Sequence, residues 1–169
     1  TFAQVRIGLA AGPMVGGNMG SRTRNDYTMM GDTVNLAARF ESGQKFYGTD
    51  VMINDLIYEQ VKDLVESRLL DKIQVMGKEL PVAAYQVLDR KGELDDKKME
   101  VLGLYNQGIE RYLLFEADRD ARHFSDAIPF FRQALELDPT DGPSELYLDR
   151  CEDFANDPPP DLVFRATSK

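Results

Sequence analysis

The chain has 169 residues and a mass of 19.1 kDa, room for one ordinary domain or a small domain with an appendage. With 43% hydrophobic and 29% charged residues it can bury a core and is not of disordered composition. A net charge of −9 argues against non-specific binding to nucleic acid or anionic lipid, the apolar runs are too short to span a bilayer, and a single cysteine, Cys151, excludes a disulfide framework or multi-cysteine metal site.

The opening TFAQVRIGLAAG has neither an initiator Met nor a signal-peptide layout and reads as the interior of a longer reading frame. Val5-Arg6-Ile7-Gly8-Leu9 alternates as a strand does. The glycine-rich stretch from Gly12 to Gly20 suits a tight hairpin, and 21–26 reads as polar loop. Tyr27-Thr28-Met29-Met30 is a short extended segment. Thr33 stands at the start of a helix to about 47, with Val34, Ala37, Ala38 and Glu41 at helical spacing. Val51-Met52-Ile53 is a buried-strand run, and Asp55 caps a helix containing Ile57, Val61, Leu64 and Val65. Strands over 68–75 and 82–88 close the unit, with Gly77 between them. The order β-β-α-β-α-β-β predicts an α+β sheet with helices on one face.

Charge then shifts. Residues 1–90 hold 10 basic and 11 acidic side chains, and residues 91–169 hold 10 and 18. The polar run from Lys91 to Lys98 predicts a linker over 91–98, between a unit over 1–90 and an all-α unit over 99–157, with a frayed tail over 158–169. Leu102, Tyr105, Ile109, Tyr112 and Leu113 form one helical stripe, and Phe124, Ala127, Ile128, Phe131 and Ala134 form a second. Asp138-Pro139 stops it, and Pro143-Ser144 opens a third helix bearing Leu146, Leu148, Cys151 and Phe154. Ala127, Phe131, Ala134 and Pro139 are placed as in a tetratricopeptide-like repeat. Gly108 lies too far ahead of Ala127 for that register, so the intervening residues lengthen a helix or loop. Such a hairpin reads either as a regulatory or dimer-stabilising element or as a packing cap. His123 reads as a surface or boundary side chain and Cys151 as core.

The most informative segment runs Asp26-Tyr27-Thr28-Met29-Met30-Gly31-Asp32-Thr33-Val34-Asn35-Leu36-Ala37-Ala38-Arg39. It places Asn35 and Arg39 four residues apart, on one helical face. An amide beside a guanidinium suits a phosphoryl group. Spacing alone favours the plainer reading of surface or helix-packing residues.

That segment resembles the signature of class III adenylate and guanylate cyclase catalytic domains. The resemblance extends to Ile7-Gly8-Leu9-Ala10-Ala11-Gly12, to the hairpin Gly16-Gly17-Asn18-Met19-Gly20-Ser21, to Glu41-Ser42, and to Val75-Met76-Gly77-Lys78 with Pro81-Val82 and Tyr85. It covers the C-terminal half of such a domain and implies a ferredoxin-like cyclase sheet. By resemblance, Arg39 stabilises charge on the reacting phosphate and Asn35 orients the ribose. Thr28 contacts the purine edge and suggests adenine over guanine, although a hydroxyl both donates and accepts. Met29 is a candidate to line the purine pocket, or simply packs. Lys78 is a candidate for the triphosphate, or only a turn lysine, since Met76 stands where the family usually has that lysine.

The implied reaction converts ATP to 3′,5′-cyclic AMP and pyrophosphate with two Mg²⁺ (or Mn²⁺) ions. The family's two metal-binding aspartates lie upstream of residue 1, so the metal is bound mainly by residues outside this chain. Asp26 and Asp32 read as loop and cap residues. The implied partners are ATP and a second cyclase domain, as a homodimer, with no nucleic acid and no membrane contact within the chain. The implied setting is cytoplasmic, with any membrane anchor upstream. The fragment alone is expected to be inactive. The alternatives are a catalytically dead, nucleotide-binding or regulatory relative, and a guanylate cyclase.

Overall fold

Short apolar segments parted by glycine and polar stretches fold as a mixed α+β unit that continues into helices. The structure, a computed structural model, describes residues 5–21, 24–74 and 80–165. In chain order the elements are β1 (Ile7–Leu9), β2 (Val15–Ser21), β3 (Arg24–Met30), α1 (Asp32–Tyr47), β4 (Val51–Asn54), α2 (Asp55–Val61), β5 (Val65–Gln74), β6 (Val82–Arg90), α3 (Asp96–Asp118), α4 (Arg122–Leu137), α5 (Gly142–Phe154) and β7 (Val163–Arg165). A five-stranded sheet has the order β1-β4-β6-β5-β7. Its outer pairs, β1 with β4 and β5 with β7, are parallel, and the inner pairs are antiparallel. β2 and β3 form a separate two-stranded ladder.

Several boundaries differ from expectation for local reasons. β3 begins at Arg24, inside the stretch read as loop, and pairs with β2 from Val15↔Met30 to Ser21↔Arg24; backbone pairing tolerates the polar composition that suggested a loop. Asn54, not Asp55, caps α2. Its amide oxygen accepts from the Ile57 and Ala11 N–H groups, while its nitrogen donates to the Ala11 carbonyl. A carboxylate has no donor for that last bond. Val65 belongs to β5 rather than to α2. In the expected linker, Glu66 accepts from Lys91 Nζ and the Gly92 N–H, and Asp95 caps α3. Within the tail read as frayed, the described part is instead anchored: Leu162 is buried and residues 163–165 pair with β5.

Two apolar clusters result. One joins Leu36, Phe40 and Tyr47 of α1 to Met52, Leu70, Ile73, Val82 and Ala84 of the sheet. The other gathers the aromatic rings of α3, α4 and α5 around Ala127 and Cys151. α3 is long enough to carry Gly108 back against Phe131: a Cβ at Gly108 would stand 2.7 Å from the Phe131 ring.

The two clusters meet at a bulge in β5. The ladder to β6 shifts register between Leu69 and Asp71, so Leu70 is the extra residue. Tyr105 of α3 donates to the Leu69 carbonyl and Tyr147 of α5 to the Leu70 carbonyl, both at 2.8 Å. Asp71 accepts from Tyr47 and Arg150, again at 2.8 Å. Arg68 makes a bidentate pair with Asp141 at 2.6 and 2.9 Å, donates to Gln86 Oε1, and lies 4.6 Å from the Tyr105 ring centre.

Two stability outcomes follow. Asp141→Ala strands a guanidinium that is only 3% exposed and should cost about 3–5 kcal/mol, whereas Glu116→Ala, breaking the half-exposed pair with Lys72, should cost under about 1 kcal/mol; urea denaturation measures both. At Gly8, where β1 passes beneath α1, a Cβ would stand 2.3 Å from the Ala37 carbonyl oxygen, whereas at Gly43 it meets nothing within 4 Å. Gly8→Ala should therefore lower the melting temperature, while Gly43→Ala should raise stability by about 0.5–1 kcal/mol.

Candidate functional site

The site begins where the β2–β3 ladder hands the chain to α1. Gly31 has φ 135°, a conformation that favours glycine, and its carbonyl accepts from the Val34 and Asn35 N–H groups. Thr33 Oγ1 reaches back to the Pro13 carbonyl at 2.8 Å, so both strands of the ladder are fastened at its base to the first turn of the helix. Farther along, Gln44 Nε2 donates to the Ile7 carbonyl at 2.8 Å. Leu36, Phe40, Gln44 and Tyr47 face inward and are buried.

The flank of α1 beside this face carries the predicted pair. Asn35 is exposed and Arg39 half-buried, one turn apart. Neither side chain has a hydrogen-bond or ion-pair partner among the described residues. Arg39 borders a cavity of 260 Å³ with Phe40, Gly43, Phe46, Tyr47, Met52, Ile73 and Phe164. A wider cleft of 550 Å³ opens beside the base of the ladder, between the first turns of α1 and α2.

Thr28 is half-buried on β3, opposite Gly17, while Met29 is exposed opposite Gly16. Successive strand residues point to opposite faces, so Thr28 and Met29 do not address a ligand from the same side. Met29 instead lies with Tyr27 over Gly16, where an added Cβ would be 2.8 Å from Tyr27 Oη and 2.9 Å from Met29 Sδ. The structure thus groups Asn35 with Arg39, leaves Thr28 on the adjoining strand, and turns Met29 away from Thr28. Lys78 and Met76 lie outside the described residues. Asp26 and Asp32 are exposed, and Asp32 sits in the first turn of α1, where a carboxylate suits the helix dipole. Among the described residues no three His, Cys, Asp or Glu side chains converge as a metal site.

Sequence reasoning missed Asn54, which fixes the backbone entering the ladder, and the Arg68, Asp71, Asp141 and Arg150 cluster. Arg68 and Asp71, which flank the apolar pair Leu69-Leu70 in β5, were the available signal. Burial, with the Asp71 carboxylate beside it, pushes the Tyr47 phenol well above its usual range. Burial likewise pushes the Cys151 thiol up to about 12. These groups stay protonated at neutral pH and act as structure rather than as acids or nucleophiles. His123 is half-buried with Nε2 3.0 Å from Asp118. No described helix is long and apolar enough to cross a membrane.

Residues 2–91 match the family model described as the adenylate and guanylate cyclase catalytic domain. The terminal-differentiation-specific adenylate cyclase of Dictyostelium discoideum is 32% identical over 152 residues, covering 86% of this chain and 7% of that protein. This match is too long for residues 2–91 alone and includes part of the helical region. Adenylate cyclase 1 of Rhizobium meliloti is 38% identical over 85 residues, covering 50% of this chain and 13% of that protein. Among solved structures, the adenylyl cyclase CyaB from P. aeruginosa aligns with 36% identity and a TM-score of 0.44, over 53% of this chain and 45% of that one. The chain therefore spans a small part of the curated relatives it matches.

Proposed function

The chain belongs to the adenylate and guanylate cyclase catalytic-domain family, and we propose that it supplies the phosphate- and purine-contacting half of an adenylate cyclase site. The observation that carries this reading is the outward pair on α1: an amide and a guanidinium one turn apart, neither consumed by a partner among the described residues. In the proposed reaction the ribose 3′-oxygen of ATP attacks the α-phosphorus. A new P–O bond forms, the 3′-hydroxyl proton is lost, and the bond to pyrophosphate breaks. Negative charge builds on the non-bridging phosphate oxygens. Arg39 donates to those oxygens through its planar fork, and Asn35 holds the ribose so that the 3′-oxygen is aligned. Thr28 offers its hydroxyl to the purine edge, and the names of the relatives favour ATP over GTP.

Divalent metal would supply further charge neutralisation in this chemistry. By resemblance to the family, metal ligation is assigned to residues outside this chain, and no step above runs through it. The complementary half is assigned to a second cyclase domain. The exposed apolar residues Tyr27 and Met29, on one face of the ladder, support such a contact. The helical region is read as tetratricopeptide-like on the close approach of Gly108 to Phe131.

In the full-length protein, Arg39→Ala should lower kcat for cAMP formation by about 10²–10³-fold, with a smaller change in KM for Mg·ATP, and Asn35→Ala should act in the same direction. Undiminished turnover in Arg39→Ala would refute the assignment. The 169-residue chain alone should form no cAMP from Mg·ATP; measurable turnover would show that the metal ligands had been misplaced. A full-length protein that binds ATP without turning it over would favour a nucleotide-binding relative. A higher kcat/KM for GTP would reverse the substrate assignment.

A further inference from the structure

The second half of α1 is held by the last quarter of the chain. Gly48, just after α1, packs against Gly142 at the start of α5; a Cβ on Gly142 would stand 2.5 Å from the Tyr47 carbonyl oxygen. Tyr47 shares Asp71 with Arg150. From β7, Phe164 stacks on Phe46 of α1 with ring centres 5.5 Å apart and planes at 23°. The Arg150 guanidinium lies 5.6 Å from the other ring centre, that of Phe164. The Phe164 ring also lines the 260 Å³ cavity that Arg39 borders.

β7 is itself fixed. Val163, Phe164 and Arg165 pair with Lys72, Ile73 and Gln74 of β5. Asp161 clasps Arg165 through two bonds of 2.7 and 2.8 Å, and Arg119 donates to the Pro160 carbonyl.

A long side chain whose charged head has no partner among the described residues keeps a defined reach only through the packing of its stem and of the helix that bears it. We propose that Phe164 is a positioning residue for Arg39: with β7 docked on β5, its ring braces the helix at Phe46 and closes the cavity beside Arg39, so the guanidinium is held ready for a phosphate. The inference rests on the reading of Arg39 given above and makes the C-terminal strand part of the site's support.

The test has two arms. In the 169-residue chain, the Nε–Hε resonance of Arg39, assigned by its loss in Arg39→Lys, is followed by NMR. Phe164→Ala should shift it and speed its exchange with water, and Phe164→Leu should largely restore it. Asp161→Asn, which loosens β7 without touching the ring, should move it the same way by less. In the full-length protein, Phe164→Ala should lower kcat by roughly 10–100-fold with KM for Mg·ATP little changed. The Phe164→Ala/Arg39→Ala double variant should be no slower than Arg39→Ala alone. An unmoved Arg39 resonance in a folded Phe164→Ala chain, or multiplicative losses in the double variant, would overturn the proposal. If Arg39→Ala proved fully active, the reading of the site would fail, and the NMR arm would still decide whether Phe164 positions the side chain.

Discussion

The arrangement depends on a polar junction buried at the bulge in β5. An extra residue in a buried strand leaves carbonyls that the ladder does not satisfy, and an unpaired buried carbonyl is costly. Tyr105 and Tyr147 take up the carbonyls of Leu69 and Leu70. Beside them Asp71 and Arg68 are almost wholly enclosed, and each is answered by an oppositely charged partner from the helical region. Apolar contact alone would let α3 and α5 slide across the sheet. Four directional contacts at adjacent residues allow one seat. Buried ion pairs contribute little net stability against well-packed apolar groups, yet removing one partner is expensive, so the junction selects a docking position more than it strengthens the fold.

That seat determines where α1 lies. Its first turn is fixed from the ladder by Gly31 and by Thr33 bonding to Pro13. Its last turn is fixed from the other side by Tyr47 bonding to Asp71 and by the Gly48–Gly142 approach. Between these clamps, Leu36 and Phe40 are buried, which leaves Asn35 and Arg39 on the outward side by helical geometry alone. The helix is therefore positioned by the whole chain, although the pair that it presents lies within five residues of sequence.

What could be read from the sequence was what is local. The α1 periodicity with Asn35 and Arg39, the β5–β6 strand pair, the stripes of α3 and α4 and the burial of Cys151 all follow from spacings within one element. What escaped depends on distance in sequence. Arg68 meets Asp141 across 73 positions and Asp71 meets Arg150 across 79, and no window of sequence contains either pair. β7 reads as tail because three residues carry no period, and it becomes a strand only beside β5. Asn54 and Asp55 are both ordinary cap residues; choosing between them required knowing that Ala11 would stand opposite with an N–H and a carbonyl to satisfy.

The arginines of this chain show how fold and site divide the same chemistry. Arg68 and Arg150 are locked to buried carboxylates, so their charge is committed to holding the helical region on the sheet, and neither is free to meet a phosphate. Arg39 comes from the nearly neutral first half, on a helix whose outward neighbour is an amide rather than an acid. A carboxylate within reach would compete with an incoming phosphate for the same fork of donors. The chain carries its excess of acid mainly in residues 91–169, and Asp141, the acid that enters the junction beside Arg68, is bound there. The separation keeps a cation available on α1 in a protein that is acidic overall, which is the electrostatic condition that a phosphate-handling helix requires.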